Sequence, residues 1–223
     1  RGSDDTIYYG TTSGNLTSSQ AASAASPTPD TGGSYWECAL TGLDTNTLYY
    51  YKIGSGGTEH TFRTPPLPGV SGFTIVAASD FQESDSGLPH TINCMDLIAS
   101  ASPRFVLHVG DITGADDYGG ETRAHAVYNL MMTKWSQDTA FMPCFGNHDW
   151  DLAAQVYWTI GRCAFPNVQD LAGVPFADSS EDWGWFDYGN VRFISYPEGW
   201  SGGWSAWNTD ANAVFNAAQN DPN

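Results

Sequence analysis

Three short polar clusters of the sequence contain the side chains best suited to catalysis. Asp80 and Gln82 belong to the first cluster, Asp111 to the second, and Asn147 and His148 to the third. Carboxylate and amide oxygens with one imidazole form a hard donor set, which suits Mn, Fe, Zn or Mg rather than a thiolate site. One carboxylate between two cations is the usual way to hold a two-metal centre with the ions about 3.5–4 Å apart. The residue types therefore predict a metal site.

Each polar cluster directly follows an apolar run that is typical of a strand buried on both faces. Segments of helical periodicity at residues 90–102 and 121–137 separate these runs. Alternating strands and helices predict a parallel α/β sheet. Because the carboxyl ends of such strands form the ligand crevice, we expect the three clusters to meet there. The predicted strands are residues 73–78, 105–109 and 141–145, followed by a hairpin at 183–196 and a final helix at 204–219.

Residues 1–66 have a different pattern, with short β-branched and aromatic runs between clusters of Gly, Asn, Asp and Pro. Leu43, Thr47 and Tyr49 have the spacing of the tyrosine-corner stretch of fibronectin type III sandwiches, which this segment resembles. An unrelated small β-meander is the alternative. A Pro-rich linker follows, so we predict a partial fibronectin-like domain at 1–66 and a second domain at 67–223. The strands predicted in the first domain are residues 6–9, 35–40, 48–53 and 60–63.

The ordered motifs D-x-Q, GD and GNHD, each at the end of an apolar run, resemble those of the calcineurin-like metallophosphoesterases. The segments YGTTSGNLTS and WFDYGNVRFIS extend the resemblance to the branch in which a fibronectin-like domain precedes the catalytic one, as in purple acid phosphatases. The resemblance implies an α/β protein, α+β overall, in which a partial β-sandwich precedes the first half of an αββα sandwich. It also implies hydrolysis of phosphate esters at a dinuclear centre of Fe, Zn, Mn or Mg.

The resemblance assigns a role to each residue of the three motifs. Asp80 matches a ligand of the first metal, Asp111 the carboxylate that bridges both metals, and Asn147 a ligand of the second. Gln82 stands where the family usually has a histidine, and it keeps an oxygen donor. His148 matches the histidine that stabilises or protonates the leaving group. An imidazole beside two dications can indeed donate a proton to a departing alkoxide.

Gly114 is a second departure from the family pattern. Three residues after Asp111, purple acid phosphatases have the tyrosine that gives their colour, and protein phosphatases have an aspartate that orients the catalytic histidine. With Gly114 at that position, neither a ferric-tyrosinate site nor protein-phosphatase-like activity is expected. The nearby Asp116, Asp117 and Tyr118 are predicted to form a solvated loop.

All five histidines of the sequence lie at or before the third motif. The family needs two or three more on later strands, so the resemblance implies a chain truncated at its C-terminus. Four predicted strands also fall short of the seven in a fibronectin-like sandwich, which implies truncation at the N-terminus. We therefore expect the full-length protein to be a hydrolase and the printed chain alone to be inactive.

The charge of the chain limits its partners. Asp and Glu number 25 against 8 Lys and Arg, which gives a formal net charge of −17. Nucleic acids and anionic membranes need a basic footprint, so neither is expected as a partner. No run approaches the roughly 18–20 apolar residues of a membrane span. The low charge density and the aromatic content favour a secreted, extracellular or periplasmic protein, or one from a salty habitat. A possible glycosylation site at Asn15 is compatible with secretion.

The four cysteines have no Cys-x-x-Cys spacing, which excludes a zinc knuckle. Two alternatives are open, namely one or two disulfides or buried thiols that act as small hydrophobes. The cysteines are Cys38, Cys94, Cys144 and Cys163.

The leading functional hypothesis is an acid phosphatase or phosphodiesterase that acts on a phosphate-ester substrate. The alternative is a non-catalytic extracellular or cell-surface protein that keeps the phosphoesterase fold as a scaffold. Gln82, Gly114 and the missing histidines favour that alternative. A carbohydrate-binding module is a weaker hypothesis, because tryptophans at the observed spacings more often pack in cores and hairpins. The tryptophans concerned are at positions 183, 185, 200, 204 and 207.

Overall fold

The computed structural model describes residues 4–24, 35–70, 72–82, 88–150, 162–164, 184–195 and 204–219. An antiparallel sheet of four strands comes first in this part of the chain. A parallel sheet of three strands with helices in its connections follows, and then an antiparallel hairpin and a final helix. This mixed helix and strand content is that of an α/β protein, as the sequence predicts.

The N-terminal sheet has the strand order β2-β1-β5-β6, and a separate short pair joins β3 to β4. These strands are β1 (Thr6–Gly10), β2 (Ser18–Ala21), β3 (Ser23–Ala24), β4 (Trp36–Glu37), β5 (Leu48–Ile53) and β6 (His60–Arg63). The prediction of a strand at 35–40 is wrong beyond the two residues of β4. The sequence gives no signal for β2, because Ser-Ser-Gln-Ala has no β-branched or aromatic side chain, and only backbone pairing with β1 makes it a strand.

Tyr49 lies at the buried centre of this sheet, with 6% of its surface exposed. Its ring stacks on Phe62 with centroids 5.3 Å apart. Its hydroxyl accepts a hydrogen bond from the Asp44 N–H at 3.0 Å. The bond ties β5 to the backbone a few residues upstream, which is what the hydroxyl of a tyrosine corner does.

The parallel sheet has the order β7-β8-β9, with β7 at Val76–Ala78, β8 at Phe105–Val109 and β9 at Ala140–Cys144. Val76 pairs with Val106, and Phe105 pairs with Ala140. The prediction of three adjacent parallel strands is confirmed. The first strand is shorter than predicted, and Phe73 instead packs edge-on against Tyr188 with ring centroids 4.7 Å apart.

Two helices cross between the parallel strands and bury one face each. Helix α1 (Leu88–Ala101) buries Thr91, Met95 and Ile98. Helix α2 (Gly120–Met131) continues into a π-helix at Met132–Ser136, where one extra residue per turn changes the facing of the side chains. The core cluster contains Phe81, Met95, Ile98, Val106, Ile112, Val127, Tyr128, Met131, Trp135, Phe145 and Cys163.

Strands β10 (Trp185–Tyr188) and β11 (Val191–Ile194) form an antiparallel hairpin, which confirms the prediction of a hairpin at 183–196 for the residues described. Trp183 and residue 196 lie outside the described residues. The rings of Phe186, Tyr188 and Phe193 surround Phe105, with centroids between 5.0 and 5.3 Å from its own. Two short elements complete the fold, α3 (Asn147–Trp150) after β9 and α4 (Trp204–Gln219), where a final helix is predicted.

The N-terminal sheet contacts the turn that follows the π-helix. The Tyr51 hydroxyl donates a hydrogen bond to the Gln137 carbonyl at 2.6 Å. The Asp138 carboxylate accepts hydrogen bonds from the Thr61 N–H at 2.7 Å and the Thr61 hydroxyl at 3.2 Å. Burial raises the pKa of Tyr51 to about 12, and the charge of Asp138 adds to the shift. The hydroxyl therefore stays a donor at physiological pH.

All four cysteines carry free thiols, so of the two alternatives the structure has buried or half-buried thiols rather than disulfides. None of the helices in the described part of the chain has the length and apolar character that crossing a membrane requires.

His108 is a buried polar residue in the middle of β8. No part of its surface is exposed, and neither ring nitrogen has a hydrogen-bond partner among the described residues. Its ring packs against Phe81, with centroids 4.6 Å apart, and against Phe141 at 6.0 Å. Burial lowers the pKa of His108 to about 4, and the charge of Asp80 only partly opposes this.

We expect His108 to destabilise the fold as pH falls from about 6.5 to about 4. The unfolded chain binds a proton at this ring below pH 6.5, whereas the folded chain does so only below about 4. The full loss over this window is about 3 kcal/mol, since one pKa unit corresponds to about 1.4 kcal/mol. Urea unfolding of the His108→Leu variant should not show this loss of unfolding free energy as the pH falls. The His90→Gln variant, which changes an exposed histidine, should still show it. Equal pH dependence of wild type and His108→Leu would contradict the expectation.

Candidate metal centre

Two of the predicted ligands have strained backbones. Asp80, two residues beyond β7, has φ 55°, and Asp111, two residues beyond β8, has φ 56°. Both therefore lie in the left-handed region, which costs a residue other than glycine roughly 1–3 kcal/mol. Asp80 and Asp111 turn away from parallel neighbouring strands at the same edge of the sheet, and the Asp80 N–H donates to the Gly110 carbonyl at 3.2 Å. Strain of this kind is concentrated at functional sites.

Asp149 joins the loops that follow β8 and β9. Its side chain is fully buried and accepts the N–H of Asp111 at 2.9 Å, of Gly146 at 3.0 Å and of Ile112 at 3.1 Å. Burial raises the pKa of Asp149 to about 7, while the N–H groups of Gly146 and Ile112 oppose the shift. Asp149 has no predicted role, although it is the last residue of the GNHD motif.

Two glycines allow these loops to touch. A Cβ on Gly110 would lie 2.7 Å from the Gly146 nitrogen, and a Cβ on Gly146 would lie 2.7 Å from the Asp111 nitrogen. Both contacts are with backbone, which cannot move aside easily. Gly110 also has φ 98°, which other residues rarely adopt. The glycines of the GD and GNHD motifs therefore serve the approach of the two loops.

The Asp111 carboxylate lies where the three loops converge. Oδ1 accepts the His148 N–H at 3.0 Å, and Oδ2 accepts the Gln82 amide at 3.2 Å. Burial raises the pKa of Asp111, the His148 N–H and charge oppose this, and the charges of Asp80 and Asp116 raise it further. An excess of negative charge around a half-buried carboxylate is what a bound cation would neutralise.

Gln82 supplies a second sign that a cation fits here. Its Oε1 is buried and has no hydrogen-bond donor among the described residues, while its Nε2 is held by Asp111. A buried acceptor without a donor is costly, and a metal ion is a natural partner for an amide oxygen. A Cβ on Gly114 would lie 2.8 Å from the Gln82 Cβ. The absence of a side chain at position 114 therefore gives Gln82 its space.

Asn147 is the first residue of α3 and precedes the His148 N–H that binds Asp111. The structure thus brings all five predicted residues to the loops at one edge of the parallel sheet, with Asp80 after β7, Gln82 and His148 bound to Asp111, and Asn147 beside His148. Their roles as ligands and as proton donor stay predictions.

His148 has a partner that the sequence did not suggest. Its Nδ1 lies 2.5 Å from Asp116 Oδ2 and 3.5 Å from Asp117 Oδ2. Burial lowers the pKa of His148, but the hydrogen bond with Asp116 and the charges of Asp116, Asp111 and Asp117 outweigh burial and raise it. The side chain of Asp116 is only 8% exposed.

The prediction of a solvated loop at 116–118 is therefore wrong for Asp116, though Asp117 and Tyr118 are exposed. A tight turn brings Asp116 back to the imidazole, with the Tyr118 N–H bonded to the Gly114 carbonyl at 3.0 Å. Protein phosphatases have their orienting aspartate at the position three residues after Asp111, and here the carboxylate lies two residues later. The only signal in the sequence was an acidic pair after a glycine.

Asp116, Asp117 and His148 also form a possible metal-binding group of their own, since one ligand atom from each lies within 4.8 Å of the others. The described residues thus offer two overlapping donor sets, one around Asp111 and one around His148.

The comparison with protein families decides the identity of this fold. The model of the calcineurin-like phosphoesterase family matches residues 73–219, more than half of the chain. The chain belongs to the calcineurin-like phosphoesterase family. The match includes all three motifs, and it begins at the predicted first run of the α/β part.

Calcineurin-like phosphoesterases generally use a dinuclear metal centre, and the donor types around Asp111 fit one. In this calcineurin-like phosphoesterase, three loops at the carboxyl ends of β7, β8 and β9 present carboxylates, an amide oxygen and an imidazole. The family membership therefore agrees with the chemistry of the residues present.

Proposed function

We propose that this chain contributes a metal site to an acid phosphatase or phosphodiesterase that hydrolyses phosphate esters. The observation that carries the proposal is the position of Asp111, whose two oxygens face the Gln82 amide and the His148 N–H. In this proposal Asp80, Gln82, Asp111 and Asn147 would hold two divalent or trivalent metal ions, for which Asp111 would be the shared ligand. Bound there, the metals would neutralise phosphate oxygens and make water a nucleophile near neutral pH.

His148 is the proposed proton donor to the leaving group. The Asp116 carboxylate binds Nδ1, so Nε2 is the ring nitrogen that would exchange a proton with substrate. A raised pKa keeps more of the imidazole protonated near neutral pH, as a general acid requires. Asp116 acts as a positioning residue, because it fixes the ring and favours the charged form.

The net charge of −17 makes bound cations necessary for this function. A chain with such an excess of carboxylates repels a phosphate ester at long range. Metal ions at Asp111 would reverse the local sign and attract the substrate. Nucleic acids are not proposed as partners, for the same electrostatic reason.

The finer placement within the family is also a proposal. The hydrogen bond between Tyr49 and Asp44 supports a fibronectin type III-like domain at 1–66 and the purple acid phosphatase-like branch. The exposed position of Asn15 is compatible with a glycosylated, secreted or extracellular protein. Gly114 cannot supply a phenolate, so a purple ferric-tyrosinate centre is not proposed.

Metal titration of the Asp111→Asn variant tests the proposed function. Isothermal titration with Mn²⁺ or Zn²⁺ should show weaker binding of both ions, because the bridging carboxylate contributes to each coordination sphere. The loss should exceed the roughly 10–100-fold that removal of an outer-shell partner costs. Chelators should abolish hydrolysis of phosphate esters by the complete enzyme.

Asp117→Asn is the matched control, since Asp117 is exposed and belongs only to the group around His148. It should leave metal binding unchanged. Loss of metal binding in Asp117→Asn but not in Asp111→Asn would indicate that the metal binds at the group around His148, which would contradict the proposed ligands. No metal binding by wild type and no hydrolysis by the complete protein would favour the non-catalytic scaffold.

A further inference from the structure

A pocket of about 490 Å³ lies between the N-terminal sheet and the α/β part of the chain. Its walls come from β6, from the loop between α1 and β8, and from the π-helix with the turn that follows it. The volume is within the roughly 300–1,000 Å³ of ligand sites. None of the residues that line it belongs to the proposed metal centre, so its chemistry requires a separate explanation.

Basic residues are concentrated at this pocket. Three of the eight Lys and Arg residues line it, namely Arg63, Arg104 and Lys134, in a chain with 25 Asp and Glu. Asp138 is the one acidic residue in the lining, and its carboxylate is already bound by the Thr61 N–H and hydroxyl. His60 also lies 3.4 Å from Asp138. The pocket is thus locally basic on a strongly acidic molecule.

Two of the three cations have no acidic partner among the described residues. Arg63 donates to the Asn46 carbonyl at 2.7 Å. Arg104 is exposed, and its guanidinium has no hydrogen bond or ion pair in that part of the chain, although its backbone N–H donates to the Thr74 carbonyl at 2.8 Å. Lys134, in contrast, binds Asp96 at 2.6 Å. Two cationic side chains in the lining of one pocket, neither of them with a carboxylate partner among the described residues, favour an anion there.

The π-helix at Met132–Ser136 contributes one wall of the pocket. Such segments are rare, are less regular than an α-helix, and frequently occur at functional sites. The metal centre does not explain this one, because His148 and Asp111 lie on loops at the other ends of β8 and β9. Met132, Thr133, Lys134 and Trp135 of the π-helix line the pocket instead.

We propose that this pocket binds a small oxyanion, a ligand with phosphate or carboxylate oxygens, through Arg63 and Arg104. The planar, multi-donor guanidinium matches two oxygens of either group, which a lysine cannot do. Because the lining comes from both the N-terminal sheet and the α/β part, the bound anion stabilises the junction between them. The inference does not depend on the proposed hydrolysis, since it involves different residues and no metal.

Titration of the EDTA-treated chain with inorganic phosphate, and separately with citrate, tests the proposal. Metal removal keeps phosphate from binding at the metal centre. Isothermal titration at constant ionic strength should show saturable binding, and thermal unfolding should move to higher temperature as the anion concentration rises. Arg104→Gln should weaken binding at least about tenfold, since hydrogen bonds to charged groups are worth about 1.5–3 kcal/mol.

Lys52→Gln, a surface cation outside the pocket, and Asp111→Asn should both bind as wild type does. Arg63→Gln should weaken binding too. Because Arg63 also binds the Asn46 carbonyl, circular dichroism must show that this variant is folded, and Arg104→Gln carries the test if it is not. Binding of phosphate alone, citrate alone or both supports the site and defines its ligand. No saturable binding of either anion, equal affinity in Arg104→Gln, or loss of binding in Asp111→Asn overturns the proposal.

Discussion

Replacing His148 with alanine in the complete, metal-loaded enzyme should slow the hydrolysis of alkyl phosphate esters by roughly 10²–10⁴-fold, the usual contribution of a positioned acid. Alkyl esters have poor leaving groups, which need a proton as the bond to phosphorus breaks. Aryl phosphates with acidic phenols need little protonation and should lose much less activity. The ratio of the two losses, measured as kcat/KM, separates proton donation from simple charge stabilisation.

Asp116→Asn should also slow the hydrolysis of alkyl phosphate esters, although less than His148→Ala does, because the change acts only through the pKa of the His148 imidazole. Without the carboxylate that binds Nδ1, the pKa of His148 should fall, because Asp116 is the main group that raises it. NMR titration of the His148 ring in the chain measures that shift directly. The alkaline limb of the pH profile for alkyl esters should move to lower pH by the same amount. Asp117→Asn, whose carboxylate is more distant at 3.5 Å and exposed, should have a smaller effect.

Equal losses for alkyl and aryl esters in His148→Ala would remove the acid role and leave His148 as a stabilising charge. Unchanged rates for every ester would contradict any catalytic role of the GNHD motif. They would favour the scaffold alternative.

Asp149→Ala should destabilise the fold by about 3 kcal/mol or more. The substitution leaves three backbone N–H groups, those of Asp111, Ile112 and Gly146, without their acceptor in a fully buried position. Each unsatisfied buried donor costs about 1–3 kcal/mol. The expected loss is a large part of the roughly 5–15 kcal/mol that stabilises a typical domain. Urea unfolding followed by tryptophan fluorescence measures it.

Asp149→Asn should lose less stability, because one side-chain oxygen still accepts hydrogen bonds. Asp117→Ala, an exposed acid of the neighbouring loop, should change stability by no more than about 0.5 kcal/mol. Metal affinity should also fall in Asp149→Ala, since the Asp111 loop loses its attachment to the GNHD loop. An Asp149→Ala variant with wild-type unfolding would show that these hydrogen bonds do not hold the two loops together.

The sequence predicted the parts of the site that depend on local chemistry. Apolar runs with polar ends identified β8 and β9, because a parallel strand that is buried on both faces consists mainly of apolar residues. They also identified the edge of the sheet where Asp80, Asp111 and His148 lie. The sequence also contains the glycines of the motifs. It does not indicate why glycine is needed there, since Gly110 and Gly146 approach each other closely although they are 36 positions apart in the chain.

The N-terminal part shows where local signals fail. Residues 35–40 have aromatic and apolar side chains, yet only Trp36–Glu37 pairs, with the equally short β3. Ser18–Ala21 has no aromatic or β-branched side chain and is nevertheless a strand of the main sheet, because its backbone pairs with β1. Strand propensity reflects neighbours and burial more than the backbone itself, so the pairing partner decides such cases.

By itself, the sequence determined the alternation of strands and helices in the α/β part, the oxygen-rich donor set and the excess of negative charge, since each follows from residue type and period. Only the tertiary structure decided which carboxylates act together. Asp116 reaches His148 across a turn, Asp149 holds two loops from a buried position, and Arg63 and Arg104 line one pocket at the junction between the sheets. These interactions join residues distant in sequence, and no local pattern encodes the distance or the burial that gives them their strength.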